Sequence, residues 1–170
     1  DYGADRNSLL INLGGGMVCD LGGFVASTYK RGIDFIHLPT TVLAQVDASI
    51  GGKTGVNLGL LKNMVGTFTQ AQETLIYPEF LNTLPKNEVM SGFAEILKHA
   101  LIADQELWKI LSSADYVDLP LIKSVIPRAL KIKEDIVNRD FKEQGERKKL
   151  NFGHTIGHAL ESLILESPER

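Results

Sequence analysis

The chain has 170 residues, with 18 lysines and arginines against 21 aspartates and glutamates, a net charge of −3 and one cysteine. One cysteine excludes an intrachain disulfide, and a pI near 5.8 argues against the basic face that nucleic-acid binding requires. Apolar runs are too short for a transmembrane helix, and the first residues lack the pattern of a signal peptide. We therefore expect a soluble cytoplasmic protein that binds neither nucleic acid nor membrane.

The glycines are distributed unevenly, with 12 of the 16 at or before Gly66. Up to about residue 80, short apolar runs alternate with glycine clusters, which is typical of α/β structure with a parallel sheet. From residue 81 to 170, apolar residues recur with the spacing of a helix, and few helix-breaking residues interrupt them. The sequence thus predicts an α/β part, residues 1–80, followed by an all-α part, residues 81–170.

The elements of the first part follow in order. An apolar strand over Leu9–Leu13 ends at the triplet Gly14–Gly16, and a helix is predicted from Met17 to about Thr28. A second strand is predicted over Asp34–Leu38, and Leu75–Tyr77 is a possible third. Strands of this length separated by a helix predict parallel pairing.

The glycine triplet at the first strand–helix junction is a candidate phosphate cradle. Glycines let a pyrophosphate approach the backbone, and a helix N-terminus offers free N–H groups. A tight turn without any ligand explains the triplet almost as well, because Cys19 stands where a dinucleotide fingerprint has its third glycine. Asp20 would then only complement the helix dipole.

The run Ser49–Thr54 resembles a P-loop but fails its test, because Asp47 stands where that motif requires its first glycine. Phosphoryl transfer from a nucleoside triphosphate is therefore not favoured. Asp47, Lys53, Lys62 and Asn63 still concentrate polar groups in a glycine-rich loop region. We interpret this region as a site.

A helix is predicted from Glu88 to about Ile102. Its apolar stripe consists of Val89, Phe93, Ile96, Leu97 and Ala100. Glu95 and Lys98 share the opposite face, with His99 beside Glu95. An ordinary solvated helix face is the commoner explanation of this spacing.

A further helix is predicted from Leu121 to about Val137, and Lys133 falls in the middle of its apolar stripe. A lysine there either extends past the edge of the core into solvent or faces a polar pocket. Extension into solvent is the commoner of the two outcomes.

The run Asn151–His158 contains two histidines, His154 and His158, one helical turn apart. Both can be metal ligands, or one can bind a metal while the other binds a phosphate or takes part in proton transfer. Asn151 is predicted to cap the helix, and Glu95 is a candidate carboxylate ligand. A helix start with two half-buried histidines is an equal alternative.

Seven segments together resemble 3-dehydroquinate synthase in order and spacing, over nearly the whole chain. They are Gly14–Gly16 with Asp20, Arg31–Gly32, Pro39–Thr41, Val46–Thr54, Lys62–Asn63, Ser91–Lys98 and Leu150–His158. The resemblance implies a Rossmann-like NAD-binding part that leads into a helical metal- and substrate-binding part. It also implies a homodimeric lyase of the shikimate pathway.

The reaction implied by the resemblance converts 3-deoxy-D-arabino-heptulosonate 7-phosphate, a phosphorylated keto acid, to 3-dehydroquinate and phosphate. It uses NAD catalytically, together with a zinc or cobalt ion. The steps are transient oxidation, phosphate elimination, reduction, ring opening and intramolecular aldol closure.

The resemblance also implies roles for individual residues. Glu95 and His154 resemble metal ligands. The catalytic set is Asp47, Lys53, Lys98, Asn151 and His158. Substrate contacts are expected from Arg31, across the dimer interface, and from Asn63, Lys133 and Arg147. Contacts to NAD are expected from Gly14, Gly15, Gly16, Asp20, Thr40, Thr41, Lys53, Lys62, Phe80 and Thr83.

Family features at both ends are missing from the sequence. The family's third metal ligand, a histidine before a glycine, would follow Arg170, as would a phosphate-binding lysine. The strands that hold the adenosine half of NAD would precede Asp1. We therefore expect an internal fragment of a longer enzyme that binds zinc only weakly by itself.

Three alternatives remain. A related sugar-phosphate cyclase would use the same cofactors, although Lys133 and Arg147 favour a substrate with a carboxylate. A metal-dependent alcohol dehydrogenase would release NADH. A non-catalytic binding module would use the same surfaces without turnover.

Overall fold

The computed structural model describes residues 3–59, 61–157, 160 and 163. The strands are β1 (Leu9–Gly14), β2 (Asp34–Pro39), β3 (Lys53–Leu58), β4 (Leu61–Phe68) and β5 (Glu73–Thr74). The helices are α1 (Gly16–Thr28), α2 (Lys86–Ala103), α3 (Gln105–Ser112) and α4 (Leu119–Arg139). Short helical turns span Tyr29–Arg31, Ala44–Ala48, Pro78–Thr83 and Glu146–Asn151. None of the helices in these ranges is long and apolar enough to cross a membrane.

The predicted parallel sheet is present, with strand order β1-β2-β5. β1 and β2 pair in register from Leu9 opposite Asp34 to Gly14 opposite Pro39, and α1 makes the crossover between them. A parallel pair needs such a crossover, which explains the helix between two short apolar runs.

The third strand lies two residues earlier than Leu75–Tyr77, so that position is wrong. Glu73 and Thr74 pair with Ile36 and His37 of β2, and the Leu75 amide makes one last bond to the His37 carbonyl. The apolar run at residues 75–77 does not mark a strand. It is explained by Ile76, which packs against the core of the helical part.

The loop predicted after Gly52 is instead an antiparallel hairpin of β3 and β4, paired from Lys53 opposite Phe68 to Leu58 opposite Leu61. Gly66 is required there, because a Cβ would lie 2.1 Å from the Thr54 carbonyl oxygen. Glycines and polar residues hide the two-residue alternation that identifies a strand. The interpretation of this segment as a loop is therefore wrong.

The second part is helical, and α2 and α4 contain the two helices predicted there. Aspartates cap α3 and α4: Asp104 accepts from the Leu107 amide and Asp118 from the Leu121 amide, both at 2.9 Å. The core contains Phe93, Ile96 and Ala100 of α2 with residues of α3 and α4. Val42 and Val46 belong to the same cluster, and the proposed division near residue 80 stays a prediction.

A close approach of two segments positions the site. A Cβ at Gly92 of α2 would lie 2.4 Å from both the Leu43 amide nitrogen and the Val42 Cβ. Glycine at this position lets α2 lie directly against the segment that leads into the Ala44–Ala48 turn. The turn carries Asp47, and α2 carries Glu95.

Candidate functional site

The site is centred on Asp47, in the helical turn Ala44–Ala48. The Lys133 ammonium of α4 donates to Asp47 Oδ1 at 2.5 Å and to the Asp47 carbonyl oxygen at 2.6 Å. Lys133 is only 6% exposed, which excludes extension into solvent and favours the polar environment. A buried ammonium needs such partners, and this explains a lysine in an apolar stripe.

The charges around Asp47 keep it ionised. Burial opposes ionisation, but Lys133, a contact with His99 and the charge of Lys98 hold the pKa of Asp47 well below its usual range. Burial lowers the pKa of Lys133, although Asp47 opposes that change. The pair is therefore a carboxylate and an ammonium in direct contact.

The polar face of α2 is buried against this centre. Lys98 is 7% exposed and His99 is fully buried, so the solvated helix face is wrong. The Lys98 ammonium forms an ion pair with Glu95, and His99 Nε2 lies 3.6 Å from Asp47 Oδ1. Helical spacing shows only that side chains share a face, and here the Asp47 turn covers that face.

His154, predicted as a metal ligand, lies near Glu95, with 3.9 Å between its Nε2 and Glu95 Oε1. It begins a short helical segment whose Gly157 amide bonds to the Gly153 carbonyl at 2.9 Å. His158, predicted as catalytic, lies outside the described residues. Whether the two histidines share a face therefore stays a prediction.

The donor set fits a divalent metal. Asp47, Glu95 and His99 place one ligand atom each within 4.8 Å of the others. Carboxylate oxygen and imidazole nitrogen are ligands that zinc and cobalt accept. Residues of this site can therefore hold the metal that the sequence predicts.

Glu143 is a site residue that the sequence reasoning missed. It forms an ion pair with Lys53 and accepts a hydrogen bond from the Asn151 side chain. Its backbone is in the left-handed region with φ of 58°, in a turn whose sequence has no periodicity. Asn151 is the last residue of the turn Glu146–Asn151, so the predicted helix cap is wrong.

A second turn residue fixes this segment. The Asp140 carboxylate accepts backbone N–H bonds from Gln144, Gly145 and Arg147 at 2.9, 2.7 and 3.0 Å. The buried Arg147 side chain donates to the Phe141 carbonyl oxygen at 2.5 Å. These bonds hold the guanidinium beside the site.

Cations crowd the site and change the behaviour of Lys53. Burial, then the charges of Arg147 and Lys133, lower the pKa of Lys53 to about 8. Its amine can therefore gain or lose a proton close to neutral pH.

Three predicted residues line one cavity of 390 Å³: Asp20 from α1, Lys53 from β3 and Asn63 from β4. Burial raises the pKa of Asp20 to about 6, an effect that Lys133 reduces and Asp47 reinforces. The hairpin thus brings the predicted phosphate contacts to a predicted NAD contact.

The glycine triplet lies at the N-terminus of α1, where no side chain caps the helix. A Cβ on Gly14 would lie 2.6 Å from Val18 Cγ2, and one on Gly15 or Gly16 would lie 3.1 Å from Thr41 Cγ2 or Ala48 Cβ. Tight packing therefore explains these glycines, and the uncapped helix end remains compatible with an anionic ligand.

The other predicted contacts occupy separate positions. Thr40 follows β2, with its amide bonded to the Gly14 carbonyl at 2.9 Å. Phe80 and Thr83 lie in the turn Pro78–Thr83, and Lys62 lies on β4. Exposed Arg31 borders a hollow with Lys30 and residues 5–7. Their assigned roles stay predictions.

Family models agree with this arrangement along the chain. Residues 1–91 match the N-terminal domain of 3-dehydroquinate synthase, and residues 92–167 match its C-terminal domain. The chain belongs to the 3-dehydroquinate synthase family. The resemblance inferred from the motifs is thereby confirmed.

Curated relatives of the chain carry the name 3-dehydroquinate synthase. The protein of Parabacteroides distasonis is 51% identical over 163 residues, which is 95% of this chain and 46% of the relative. That of Streptococcus mutans is 53% identical over 163 residues, or 94% of this chain and 46% of the relative. The chain thus spans about half the length of the curated 3-dehydroquinate synthases it matches.

Two solved structures share the fold. 2-epi-5-epi-valiolone synthase from Streptomyces hygroscopicus, with NAD+ and Zn2+ bound, matches with a TM-score of 0.89 and 34% identity, over 99% of this chain and 48% of that one. 2-deoxy-scyllo-inosose synthase, complexed with carbaglucose-6-phosphate, NAD+ and Co2+, gives 0.82 and 28%, over 94% and 45%. The predicted order of an α/β part and a helical part is confirmed.

Proposed function

We propose that this chain carries the central part of a 3-dehydroquinate synthase active site. The protein would convert 3-deoxy-D-arabino-heptulosonate 7-phosphate to 3-dehydroquinate and phosphate. The observation that carries the proposal is the buried ion-pair centre. In it, the ion pair of Asp47 with Lys133 lies beside the ion pair of Glu95 with Lys98. Membership of the family supports the reaction class.

The charges suit this substrate, which bears a carboxylate and a phosphate. Lys98, Lys133 and Arg147 are buried cations, and the half-exposed Lys53 lies beside them. Each lysine also faces a carboxylate, from Glu95, Asp47 or Glu143. An anionic group that enters between these cations is stabilised more strongly than in water. Asp47 and Asn151 provide acceptors and donors for hydroxyl groups. We assign carboxylate binding to Arg147 and Lys133, and phosphate binding to Lys53 and Asn63.

When bound, a zinc or cobalt ion at Glu95 and His154 would acidify the substrate hydroxyl, and NAD would supply the transient oxidation and later reduction. The chain's own residues orient the substrate and move protons. Glu143 holds the Lys53 amine and the Asn151 amide together. With a pKa of about 8, Lys53 can neutralise the departing phosphate and exchange a proton with it.

We extend the proposal to the assembled enzyme: a cytoplasmic homodimer in which Arg31 contacts the phosphate bound by the partner subunit. Exposed Arg31 in the turn Tyr29–Arg31 supports this role, because it is available to a neighbouring chain.

The test is a turnover assay on the protein as it is encoded, with the heptulosonate phosphate, NAD and zinc. We expect inorganic phosphate and 3-dehydroquinate to form in equal amounts without net NADH. Accumulation of NADH would instead identify an alcohol dehydrogenase.

A matched pair of variants tests whether the centre is catalytic. Lys98→Met removes a buried partner of Glu95, and we expect kcat to fall by about 100-fold or more. Lys109→Met removes an exposed partner of Glu106 at the same helical spacing and should leave kcat unchanged. Equal activity of both variants would favour a binding module.

Another sugar-phosphate cyclase is the second candidate, favoured by the TM-score of 0.89 to 2-epi-5-epi-valiolone synthase. It predicts phosphate release from a phosphorylated sugar that lacks a carboxylate.

A further inference from the structure

We propose that Gln45 is a positioning residue for NAD, because its buried side-chain amide joins two segments that carry predicted NAD contacts. One segment is Thr40–Thr41, which follows β2, and the other is the turn Pro78–Thr83. Gln45 is not itself among the predicted contacts. The inference rests on the proposed function for the identity of the cofactor, and it adds a residue that acts on NAD only through the backbone of its neighbours.

The hydrogen bonds of the Gln45 amide carry the proposal. Gln45 is fully buried, and its Nε2 donates to the Pro39 carbonyl oxygen at 3.2 Å and to the Tyr77 carbonyl oxygen at 3.1 Å. Pro39 directly precedes Thr40, and Tyr77 directly precedes the turn Pro78–Thr83. One side chain therefore fixes the starting points of both segments relative to each other.

Further contacts connect these two segments to predicted NAD contacts. The Tyr77 carbonyl oxygen also accepts from the Phe80 amide at 3.2 Å, and the two rings pack edge to face with 5.4 Å between their centroids. In the other segment, the Thr40 amide donates to the Gly14 carbonyl oxygen at 2.9 Å. A change at Gln45 should therefore reach the turn, the segment after β2 and the glycine triplet.

The acceptor of the same side chain supports a role beyond packing. Gln45 Oε1 is buried, and no group of the described residues donates to it. A buried acceptor without a donor costs folding free energy. The amide uses its N–H groups in full while its oxygen receives nothing, so its value to the molecule lies in the two carbonyl groups that it holds.

The neighbouring Asp47 is held independently of this amide. The turn Ala44–Ala48 is closed by a 2.7 Å hydrogen bond from the Ser49 hydroxyl to the carbonyl oxygen of its first residue. Lys133 holds the Asp47 carbonyl oxygen at 2.6 Å. Loss of the Gln45 amide should therefore loosen the predicted NAD contacts and leave the predicted substrate contacts in place.

The experiment uses the protein as it is encoded and measures NAD binding by titration calorimetry, together with steady-state kinetics on the heptulosonate phosphate with zinc. Gln45→Met keeps the length of the side chain and removes both donors. We expect the Kd of NAD to rise by about 10-fold, because the arrangement that binds NAD becomes less populated. Since bound NAD restores that arrangement, kcat at saturating NAD and KM for the heptulosonate phosphate should change by less than about 2-fold.

Two control variants separate this effect from a loss of stability. Gln72→Met removes an exposed amide that donates to Asp34 at 2.8 Å, and Leu107→Ala leaves a cavity in the helical core. Both should bind NAD as the original protein does. If Leu107→Ala weakens NAD binding as much as Gln45→Met does, the effect is one of stability and the inference fails.

Unchanged NAD affinity in Gln45→Met would overturn the inference alone. A lower kcat with unchanged affinity would also overturn it, because the residue would then act through Asp47. If circular dichroism shows that Gln45→Met does not fold, Gln45→Asn decides, since its shorter amide cannot reach both carbonyl groups: weaker NAD binding supports the inference and equal binding refutes it. Failure of the original protein to bind NAD would instead refute the proposed function, and this inference with it.

Discussion

Replacing Lys133 with methionine tests the central ion pair most simply. Methionine keeps the length of the side chain but leaves the Asp47 carboxylate without its ammonium partner. Breaking a buried pair costs about 3–5 kcal/mol. Because 21% of the Asp47 side chain is exposed, we expect a loss at the lower end of this range, about 3 kcal/mol in the free energy of unfolding. For a chain of this size, that loss lowers Tm by roughly 6–12 °C.

The sign of the pH dependence follows from the depressed pKa of Asp47. Stability from such a carboxylate is present above its unfolded value of 3.8 and is lost as the pH falls through the folded value. Lys133→Met removes the largest cause of that depression. The deficit of the variant should therefore be greatest near neutral pH and shrink as Asp47 becomes protonated.

The assay is urea unfolding, followed by the fluorescence of the single tryptophan, Trp108 in α3. Lys131→Met on the same helix is the control, because the ion pair of Lys131 with Asp135 is exposed. This variant should change the free energy of unfolding by less than about 1 kcal/mol. The double variant Asp47→Asn/Lys133→Met should recover most of the loss. A deficit below about 1 kcal/mol, or one that is equal at about pH 3 and pH 7, which lie on either side of the unfolded pKa of Asp47, would refute the reasoning.

Further predictions concern α1 and the contact of α2. Burial raises the pKa of Asp20 to about 6 from 3.8, so the ionised carboxylate destabilises the fold as the pH rises through that window. Asp20→Asn should therefore be more stable by about 1–2 kcal/mol at pH 8, discounted for partial exposure, and show no gain below pH 4 in urea unfolding. Burial also raises the pKa of the Cys19 thiol to about 12, so iodoacetamide should label it only after unfolding; rapid labelling of folded chain would contradict its burial. Gly92→Ala should cost about 3 kcal/mol in the same assay, whereas Gly157→Ala, where a Cβ meets nothing within 4 Å, should change stability by less than about 1 kcal/mol; equal effects would contradict the close approach of α2.

Hydrophobic periodicity was sufficient to predict the main elements of the sheet and of the helical part. β1, β2 and α2 can each be recognised from the apolar pattern of their own sequence. The hairpin of β3 and β4 has none, because its glycines exist to let two strands approach. Such a requirement is visible only when both strands are in place.

The candidate site shows the same limit. Lys133 was recognised as unusual because a charge interrupts an apolar stripe. Lys98 and His99 looked like a solvated face, since helical spacing cannot show that the Asp47 turn covers them. Glu143 had no signal, because its role depends on contacts with Lys53 and Asn151 from two other segments.

The most direct test of the proposed function compares phosphate release from two substrates by the protein as it is encoded. One is 3-deoxy-D-arabino-heptulosonate 7-phosphate, and the other is glucose 6-phosphate, which lacks a carboxylate. With NAD and zinc present, the cationic site around Lys133 and Arg147 predicts release only from the heptulosonate, together with 3-dehydroquinate. Equal or faster release from glucose 6-phosphate would contradict the account.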